Sequence, residues 1–265
     1  MHGSVDRYSM RDSRKKPLSE IRVLLIQARN TREMEQQEQQ CFVERCRIPL
    51  SQFVLVNLTR APVYPALLDE VDAMMIGGSG EYSAHKDYPW MQALLELCRA
   101  AHDRDVPTFG SCWGHQVLAR ALGGTVIYDN EHAEFGCGLI ELTQAGREDP
   151  LLREFPARFK ANVGHHDRVS VLPPNAIELA FNASQRNQAF RIDAKPIYGT
   201  QFHSELDARR EHERLDAYRE NYRRELGGDE AFQRAIDSLA DTTDADHLMY
   251  DFLVKLVAHP DGAAG

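Results

Sequence analysis

Short apolar runs alternate with helix-like segments from residue 22 to residue 124 of this chain. Runs that suit strands buried on both faces lie at residues 22–27, 53–57, 73–76 and 106–110. Helical segments are predicted over residues 32–47, 90–104 and 116–122. This alternation predicts an α/β fold with a mainly parallel, doubly wound sheet and helices on both of its faces. In such sheets the functional groups gather at the carboxyl ends of the strands.

Beyond residue 124 the regular alternation of strand-like and helix-like segments ends. Short strand candidates lie at residues 138–142, 168–172, 178–181 and 197–201, and we expect them to extend the sheet or to pack beside it. The next segment is rich in Arg, Glu and Asp and is predicted to be helical. A final helix is expected to begin at Thr243, with Asp246 as its capping partner. The predicted organisation is a mobile leader (1–20), a core (21–206), a charged helical insert (207–242) and a final helix that docks on the core (243–259).

Composition excludes several classes of function. The chain has 265 residues and a net charge of −9, so it lacks the basic surface that a nucleic-acid backbone demands. No run approaches the roughly 18 apolar residues that span a bilayer, and no secretory signal is apparent at the start. The chain has 5 cysteines, an odd number, which we interpret as reduced thiols. We therefore expect a cytoplasmic protein with neither a nucleic-acid nor a membrane partner.

The strongest local signal is the run Phe109-Gly-Ser-Cys-Trp-Gly-His-Gln116, between an apolar strand and a helix. Glycines on both sides of Cys112 suit a tight strand-to-helix turn that pushes the central side chain into the open. The amino-terminal end of the following helix stabilises a thiolate there, and its free N–H groups can bind an oxyanion. The pattern predicts a nucleophile; the alternative is a buried structural thiol in a glycine turn.

A nucleophilic thiolate needs a partner that takes up a proton and later returns it to the leaving amine, and histidine is the usual choice. Among 11 histidines, His203 stands out because it follows a strand candidate and precedes Glu205 by two residues. A carboxylate at that distance can orient the imidazole, as the third group of a catalytic triad does. Taken alone, a histidine at a strand end is more often structural, so the prediction depends on its pairing with Cys112 and Glu205.

Two segments together resemble one family. Gly110-Ser-Cys-Trp-Gly-His-Gln116 and Tyr198-Gly-Thr-Gln-Phe-His-Ser-Glu205 are similar to the G-x-C-x-G-x-Q and G-x-Q-F-H-P-E signatures of class I glutamine amidotransferases. The resemblance covers about residues 21–206, resumes at the final helix, and is strongest toward the glutaminase part of GMP synthetase. That enzyme also resembles this chain at three further segments, which are Ile76-Gly-Gly-Ser79, Glu134-Phe-Gly136 and His165-His-Asp167. The resemblance implies the flavodoxin-like α/β fold of the family.

The resemblance also implies a reaction. Cys112 would be the nucleophile, His203 the general base and acid, and Glu205 the residue that orients His203. Attack on the side-chain amide of glutamine would give a γ-glutamyl thioester and ammonia, and water would then release glutamate.

Five further residues receive roles from the same match. Gly78 and Trp113 would offer backbone N–H groups to the oxyanion. Gln116, Gly164 and His165 would bind the substrate. No cofactor is implied.

Two patterns have other interpretations. The run Gly77-Gly-Ser-Gly80 is a weak candidate for a phosphate cradle, because neither a following Lys-Ser/Thr nor the wider Rossmann spacing is present. The cluster His165-His-Asp167 suggests a metal, but adjacent side chains on an extended segment point to opposite faces and no zinc-type cysteine spacing accompanies them. We predict that one of these histidines lines the glutamine pocket, that the other is structural, and that no metal is bound.

The sequence departs from the family in two ways. Ser204 replaces the usual proline between His203 and Glu205, which loosens that turn and leaves both side chains in place. No synthetase domain or P-loop-like signature follows before Gly265. Three hypotheses result. The chain supplies ammonia to a separate synthetase subunit, with the charged insert as a docking element or a solvated surface; it hydrolyses γ-glutamyl compounds on its own; or it is an inactive binding or regulatory homologue.

Overall fold

The computed structural model of the chain describes residues 16–259, so most of the predicted leader lies outside the described residues. The strands within this range are β1 (Val23–Gln27), β2 (Phe53–Asn57), β3 (Ala73–Ile76), β4 (Thr108–Ser111), β5 (Thr125–Tyr128), β6 (Glu134–Leu142), β7 (Arg158–His165), β8 (Asp167–Val171), β9 (Ala176–Phe181), β10 (Ala189–Ile192) and β11 (Ile197–Thr200). The α-helices are α1 (Arg32–Cys46), α2 (Met91–Asp103), α3 (Trp113–Ala121), α4 (Gln144–Glu148), α5 (Ala208–Ala217), α6 (Arg219–Leu226), α7 (Asp229–Ser238) and α8 (Leu248–Phe252). None of these helices combines the length and the apolar character needed to cross a membrane.

The central sheet has nine strands in the order β2-β1-β3-β4-β11-β10-β9-β6-β7. The strands from β2 to β11 are parallel, with Val23 of β1 aligned with both Phe53 of β2 and Ala73 of β3. From β11 to β7 the neighbouring strands pair antiparallel. The chain thus forms the α/β fold that the alternating pattern predicts, and the antiparallel strands continue the same sheet.

Successive residues of the central strands point to opposite faces of the sheet, and both faces are covered. On one face, Val23 and Leu25 pack in a core that includes residues of α1 and α8. On the other face, Leu24 and Ile26 pack with residues of α2 and α3. Helices on both faces make the sheet doubly wound, as predicted, and explain why its parallel strands read as continuous apolar runs.

The strand candidates beyond residue 124 follow both expected courses. Three of them fall within β6, β9 and β11 of the central sheet, whereas the candidate at 168–172 corresponds to β8, which pairs with β5 in a separate two-stranded sheet. Strands β5, β7 and β10 were not predicted. In β7, Phe159, Ala161 and Val163 are buried and alternate with other residues, so a period of two was present in the sequence.

The predicted start of the final helix is wrong. The helix begins at Leu248, because the preceding residues form a turn in which the carbonyl of Thr242 accepts from the N–H groups of Ala245 and Asp246. Thr242 rather than Thr243 bonds to the Asp246 carboxyl, at 3.3 Å. After α8 the chain continues as a π-helical turn over Leu253–Val257. Apolar side chains of both segments are buried in the core beside α1.

The charged segment predicted to be helical folds into α5, α6 and α7. Its composition suggested heavy solvation, yet Glu211, Arg214 and Leu215 of α5 and Phe232 of α7 are buried. Helix α5 therefore presents two ionisable side chains to the interior of the protein.

Candidate active site

Cys112 occupies a single-residue turn between β4 and α3. Its φ is 48° and its ψ is −101°, a conformation that non-glycine residues rarely adopt and that costs about 1–3 kcal/mol. Because this one residue turns the chain, α3 begins at Trp113 and not at Gln116 as predicted. The thiol-bearing residue thus stands directly at the amino-terminal end of a helix, where N–H groups are unpaired and the helix dipole favours negative charge.

Glycines are required on both sides of this turn by close backbone packing. A Cβ on Gly110 would lie 2.5 Å from the carbonyl carbon and oxygen of Gly114. A Cβ on Gly114 would lie 2.2 Å from the carbonyl oxygen of Ile76 on β3. The G-x-C-x-G pattern therefore lets α3 approach the strand ends closely, which brings Cys112 to the carboxyl edge of the parallel strands.

A Gly114→Ala substitution is expected to lower the free energy of unfolding by at least about 2 kcal/mol, because the methyl group meets a backbone carbonyl that cannot move without shifting β3. Gly138→Ala is the matched control, since its Cβ would meet only a Val163 methyl, at 3.9 Å. Urea unfolding of both variants measures the difference. Equal stability of the two variants would show that the close approach of α3 to β3 is not required.

The Cys112 side chain is less open than the elbow pattern suggests. The residue is only 4% exposed, and it forms part of the wall of a cavity. Its Sγ lies 3.8 Å from the Gly164 carbonyl oxygen and accepts from Gln201 Nε2 at 3.7 Å. The thiol is thus buried within the protein yet faces the cavity.

His203 and Glu205 follow β11, which is adjacent to β4 in the sheet. The His203 backbone N–H donates to the Asn162 carbonyl at 2.9 Å, and its ring Nδ1 lies 2.7 Å from Glu205 Oε1. The other carboxylate oxygen of Glu205 accepts from Ser111 Oγ at 2.6 Å. Neighbouring parallel strands therefore bring the three predicted side chains together, with the Glu205 side chain fully buried.

The opposite charges of Glu205 and His203 stabilise each other. Burial raises the pKa of Glu205, but His203, Arg214 and Ser111 together outweigh it and lower the pKa to about 2. Burial lowers the pKa of His203, but Glu205 and the adjacent Cys112 raise it well above its ordinary value of 6.5. The His203–Glu205 pair is thus stabilised in its charged form, and Cys112 is close enough to interact with the imidazole.

The backbone N–H groups around Cys112 differ in whether they are paired. The N–H of Cys112 donates to the Thr200 carbonyl at 2.8 Å, and that of Gly114 donates to the Gly77 carbonyl at 3.1 Å. Within residues 16–259, no acceptor takes the N–H of Trp113 or of Gly78. A Cβ on Gly78 would lie 3.4 Å from His203 Cε1, so this residue is adjacent to the imidazole.

The cavity beside Cys112 has a volume of about 230 Å³. Gln116, Gly164 and His165, the predicted substrate contacts, all line it. Both adjacent histidines of the His165-His166 pair line it, although only one was expected to. Other parts of its wall are aromatic: Tyr82, Tyr88, Trp113, Tyr128, Phe135 and Tyr222.

Two of the predicted substrate contacts are held rigidly. The Gln116 Nε2 group donates to the Asp167 carbonyl at 2.6 Å and to Gln201 Oε1 at 3.0 Å. His165 Nδ1 lies 3.1 Å from the Asp167 carbonyl oxygen, and its Nε2 lies 3.3 Å from Glu134 Oε2. Across residues 16–259, no group of three or more His, Cys, Asp or Glu side chains is arranged to hold a metal ion.

The charged helical segment contributes to this site, which the sequence did not predict. Tyr222 and Glu225 of α6 line the cavity, and Glu225 lies 2.9 Å from His166 Nε2. Arg214 of α5 reaches Glu205, with Nη1 3.5 Å from Oε1. Tyr218 and Tyr222 of this segment are half-buried, and nothing in the sequence indicated which surface they cover.

Comparisons with known proteins show which family the chain belongs to. The model of the glutamine amidotransferase class-I family matches residues 51–217. One subunit of the glutamine-hydrolyzing GMP synthase of Methanosarcina mazei is 31% identical over 163 residues, which cover 61% of this chain and 78% of that protein. A glutamine amido transferase from Methylobacillus flagellatus is 25% identical, with a TM-score of 0.67 over 92% of this chain and 98% of that one.

A glutamine amidotransferase from Thermotoga maritima shares the fold, with a TM-score of 0.65 over 90% of this chain and 99% of that one, at 23% identity. The family match extends from β2 to the end of α5 and includes both signature segments. The chain therefore belongs to the class I glutamine amidotransferase family.

Proposed function

We propose that this protein hydrolyses glutamine to glutamate and ammonia through a γ-glutamyl thioester on Cys112. The observation that carries the proposal is the buried His203–Glu205 pair, 2.7 Å apart, beside a cysteine held in a strained turn at a helix amino terminus. This combination supplies a nucleophile, a proton carrier and an orienting carboxylate at one end of one cavity.

The reaction follows from this arrangement. The Cys112 thiolate attacks the γ-carbonyl carbon of glutamine, and the resulting oxyanion accepts from the Gly78 and Trp113 N–H groups. The imidazolium of His203 gives its proton to the departing nitrogen, so the C–N bond breaks and ammonia leaves. A water molecule then attacks the thioester while His203 takes its proton. Glutamate departs, and the thiolate and imidazolium are restored with Glu205 still ionised.

The cavity is the proposed binding site for the substrate. Gln116, Gly164 and His165 are proposed to contact the glutamine, because each lines the cavity that Cys112 faces. The hydrogen bonds of the Gln116 amide nitrogen and the contacts of the His165 ring keep both side chains in one orientation. Pre-formed contacts of this kind reduce the entropy lost on binding.

The partner and location are also proposals. The Methanosarcina mazei relative is named as one subunit of GMP synthase, so we propose that ammonia made here passes to a separate synthetase subunit. The proposed division is a core over 21–206, an insert over 207–242 and a final segment over 243–259 that contains the last helix. A cytoplasmic location agrees with the five cysteines, which are all free thiols.

A second candidate is the hydrolysis of γ-glutamyl peptides or amides, which passes through the same thioester. The observation that favours it is the aromatic wall of the cavity, which includes Tyr128, Phe135 and Tyr222. Such rings suit a leaving group larger than ammonia.

Incubation with glutamine, and separately with γ-glutamyl peptides, tests both candidates by the release of glutamate. We expect glutamine to be the better substrate and expect mass spectrometry of quenched reactions to find a γ-glutamyl adduct on the Cys112 peptide. A preference for peptides would support the second candidate instead.

The partner requires its own measurement, because an amidotransferase that depends on a synthetase is idle without it. Pull-down from a lysate is used to find a synthetase that binds this protein. Adding that synthetase to the assay is expected to increase glutamine hydrolysis. Inertness toward both substrates, with and without a bound synthetase, would contradict the proposed activity and favour a binding or regulatory homologue.

A further inference from the structure

Helix α5 places a buried cation against Glu205. The Arg214 side chain is only 5% exposed, and its Nη1 lies 3.5 Å from Glu205 Oε1, the same oxygen that contacts His203. A Cβ on Gly78 would lie 3.8 Å from that nitrogen. Arg214 therefore lies close both to the carboxylate that faces the imidazole and to Gly78, whose amide is proposed to bind the oxyanion.

Arg214 is held in this position by helix α1. Its Nη2 donates to Gln37 Oε1 at 2.9 Å, and the amide nitrogen of Gln37 in turn donates to the Arg210 carbonyl at 3.0 Å. Two ion pairs fasten α5 to α1 nearby: Arg210 with Glu44 at 2.6 Å, and Arg45 with the α5 capping residue Asp207 at 3.1 Å. The hydrogen bond to Gln37 thus holds the guanidinium, whereas the two ion pairs dock α5 on α1 without touching Arg214.

A fixed guanidinium is well suited to compensate the charge of the buried Glu205 carboxylate. Glu205 is fully buried, and a buried carboxylate is costly unless opposite charges and hydrogen bonds surround it. His203 changes its charge during the proposed reaction, whereas the guanidinium of Arg214 stays protonated throughout. Arg214 therefore provides a compensating charge that persists when His203 is neutral.

We propose that Arg214 is a positioning residue that holds Glu205 against His203 and keeps the carboxylate ionised through the catalytic cycle. The inference rests on the proposed function, because it assigns Glu205 to the triad. It also gives part of the charged helical segment a place in the catalytic site.

Three variants test this role. Arg214→Met removes the charge with similar side-chain length, and Arg214→Lys keeps the charge without the planar fork. Arg210→Met is the control, because it removes two ion pairs from the same helix, to Glu44 and Glu213, without touching Glu205. We expect Arg214→Met to lower kcat for glutamine by about 10- to 100-fold with little change in KM. Arg214→Lys should recover part of kcat, and Arg210→Met should remain within about twofold of the parent.

The dependence of kcat/KM on pH distinguishes a positioning role of Arg214 from a role in folding alone. The charged or titratable groups that face Glu205 are His203, Arg214 and Glu211, with Cys41 of α1 nearby. His203 lowers the pKa of Glu205 most, and Arg214 lowers it next. Its loss should therefore move the acid limb of kcat/KM to higher pH in Arg214→Met, less so in Arg214→Lys, and not in Arg210→Met.

Alkylation of Cys112 by iodoacetamide, followed by mass spectrometry of its peptide, supplies a readout that needs no glutamine. We expect slower alkylation in Arg214→Met, because a less well-held Glu205 stabilises the imidazolium–thiolate pair less. If the parent is alkylated but does not hydrolyse glutamine, the proposed function fails while this comparison still decides the inference.

Circular dichroism first establishes that each variant is folded. If Arg214→Met does not fold, the kinetic comparison is made with Arg214→Lys. Two results would overturn the inference. One is a parent-like kcat and acid limb in both Arg214 variants. The other is an equal loss in Arg210→Met, which would reduce Arg214 to a contact that merely docks α5.

Discussion

Replacing Cys112 by serine is expected to lower glutamine hydrolysis by a factor on the order of 10⁴ or more. An alcohol at this position is not ionised near neutral pH, and removal of a nucleophile from a concerted triad eliminates most of its rate enhancement. The assay is glutamate release under saturating glutamine, with Cys112→Ala as a second variant that removes the heteroatom altogether. Both variants should fail to form the γ-glutamyl adduct.

No other thiol is placed to substitute for Cys112. Burial raises the pKa of Cys41 and of Cys98 to about 12, and it raises that of Cys46 further, so these thiols stay protonated. Cys137 is half-buried, and burial raises its pKa too. Cys137→Ser is therefore the matched control and should retain the activity of the parent.

The fold should tolerate the change at Cys112. The strained turn depends on the glycines beside it and on the backbone hydrogen bond to Thr200, none of which involves the thiol. Thermal unfolding of Cys112→Ser is expected to match that of the parent. A folded Cys112→Ser protein that keeps more than a tenth of the parental activity would contradict the assignment of the nucleophile.

The parts of the site that sequence could predict are those built by local patterns. Glycine spacing around Cys112 reports how closely α3 approaches β3, and it does so within five residues of chain. His203 and Glu205 follow a strand, and strand ends in a parallel sheet meet at one edge, so the geometry of the sheet brings them to Cys112. Residue type and position along an element were sufficient in both cases.

The contribution of the charged segment had no such local signal. Arg214 reaches Glu205 because α5 lies against α1, and that packing depends on Gln37, Glu44 and Arg45, more than 160 residues earlier in the sequence. A helix rich in Arg and Glu usually indicates a solvated face. Only the tertiary contact distinguishes the buried Arg214 from the exposed arginines around it.

The predicted start of the final helix is wrong for a related reason. Thr243 followed by Asp246 fits the local capping pattern, but Thr242 and Asp246 instead close a turn through backbone and side-chain hydrogen bonds. Asp246 also lies 3.3 Å from Arg45 of α1, so a tertiary ion pair competes with the helix cap. Boundaries that depend on such contacts are the ones local rules place wrongly.

A Glu205→Gln substitution is expected to lower kcat on the order of 10³- to 10⁴-fold while leaving the cavity intact. The amide is nearly isosteric with the carboxylate, but it carries no charge to stabilise the imidazolium and no longer specifies which ring nitrogen of His203 keeps the proton. Glu213→Gln, the same chemical change on the exposed side of α5, is the control and should leave kcat unchanged. A loss in Glu205→Gln of less than about tenfold would remove Glu205 from the proposed triad.

The His203–Glu205 pair also gives the stability of the parent protein a distinct dependence on pH. The pKa of Glu205 is lowered to about 2 in the folded protein, so its contribution to folding is complete above the unfolded value of 4.5 and is lost as the pH falls toward 2. The pKa of His203 is raised above 6.5, so its contribution is complete below 6.5 and is lost as the pH rises through the folded value. The two contributions overlap between pH 4.5 and 6.5.

Glu205→Gln removes the partner of a buried ion pair and leaves Arg214 with one negative neighbour fewer. Within the window of overlap we expect it to be less stable than the parent by about 3 kcal/mol or more in urea unfolding. The deficit should shrink toward pH 3, where the parental carboxylate becomes protonated. It should also shrink at high pH as His203 becomes neutral, but only in part, because Ser111 and Arg214 still contact the ionised Glu205. A deficit that is constant with pH would mean that the pair is not charged in the folded protein, and the proposed proton transfer through His203 would lose its support.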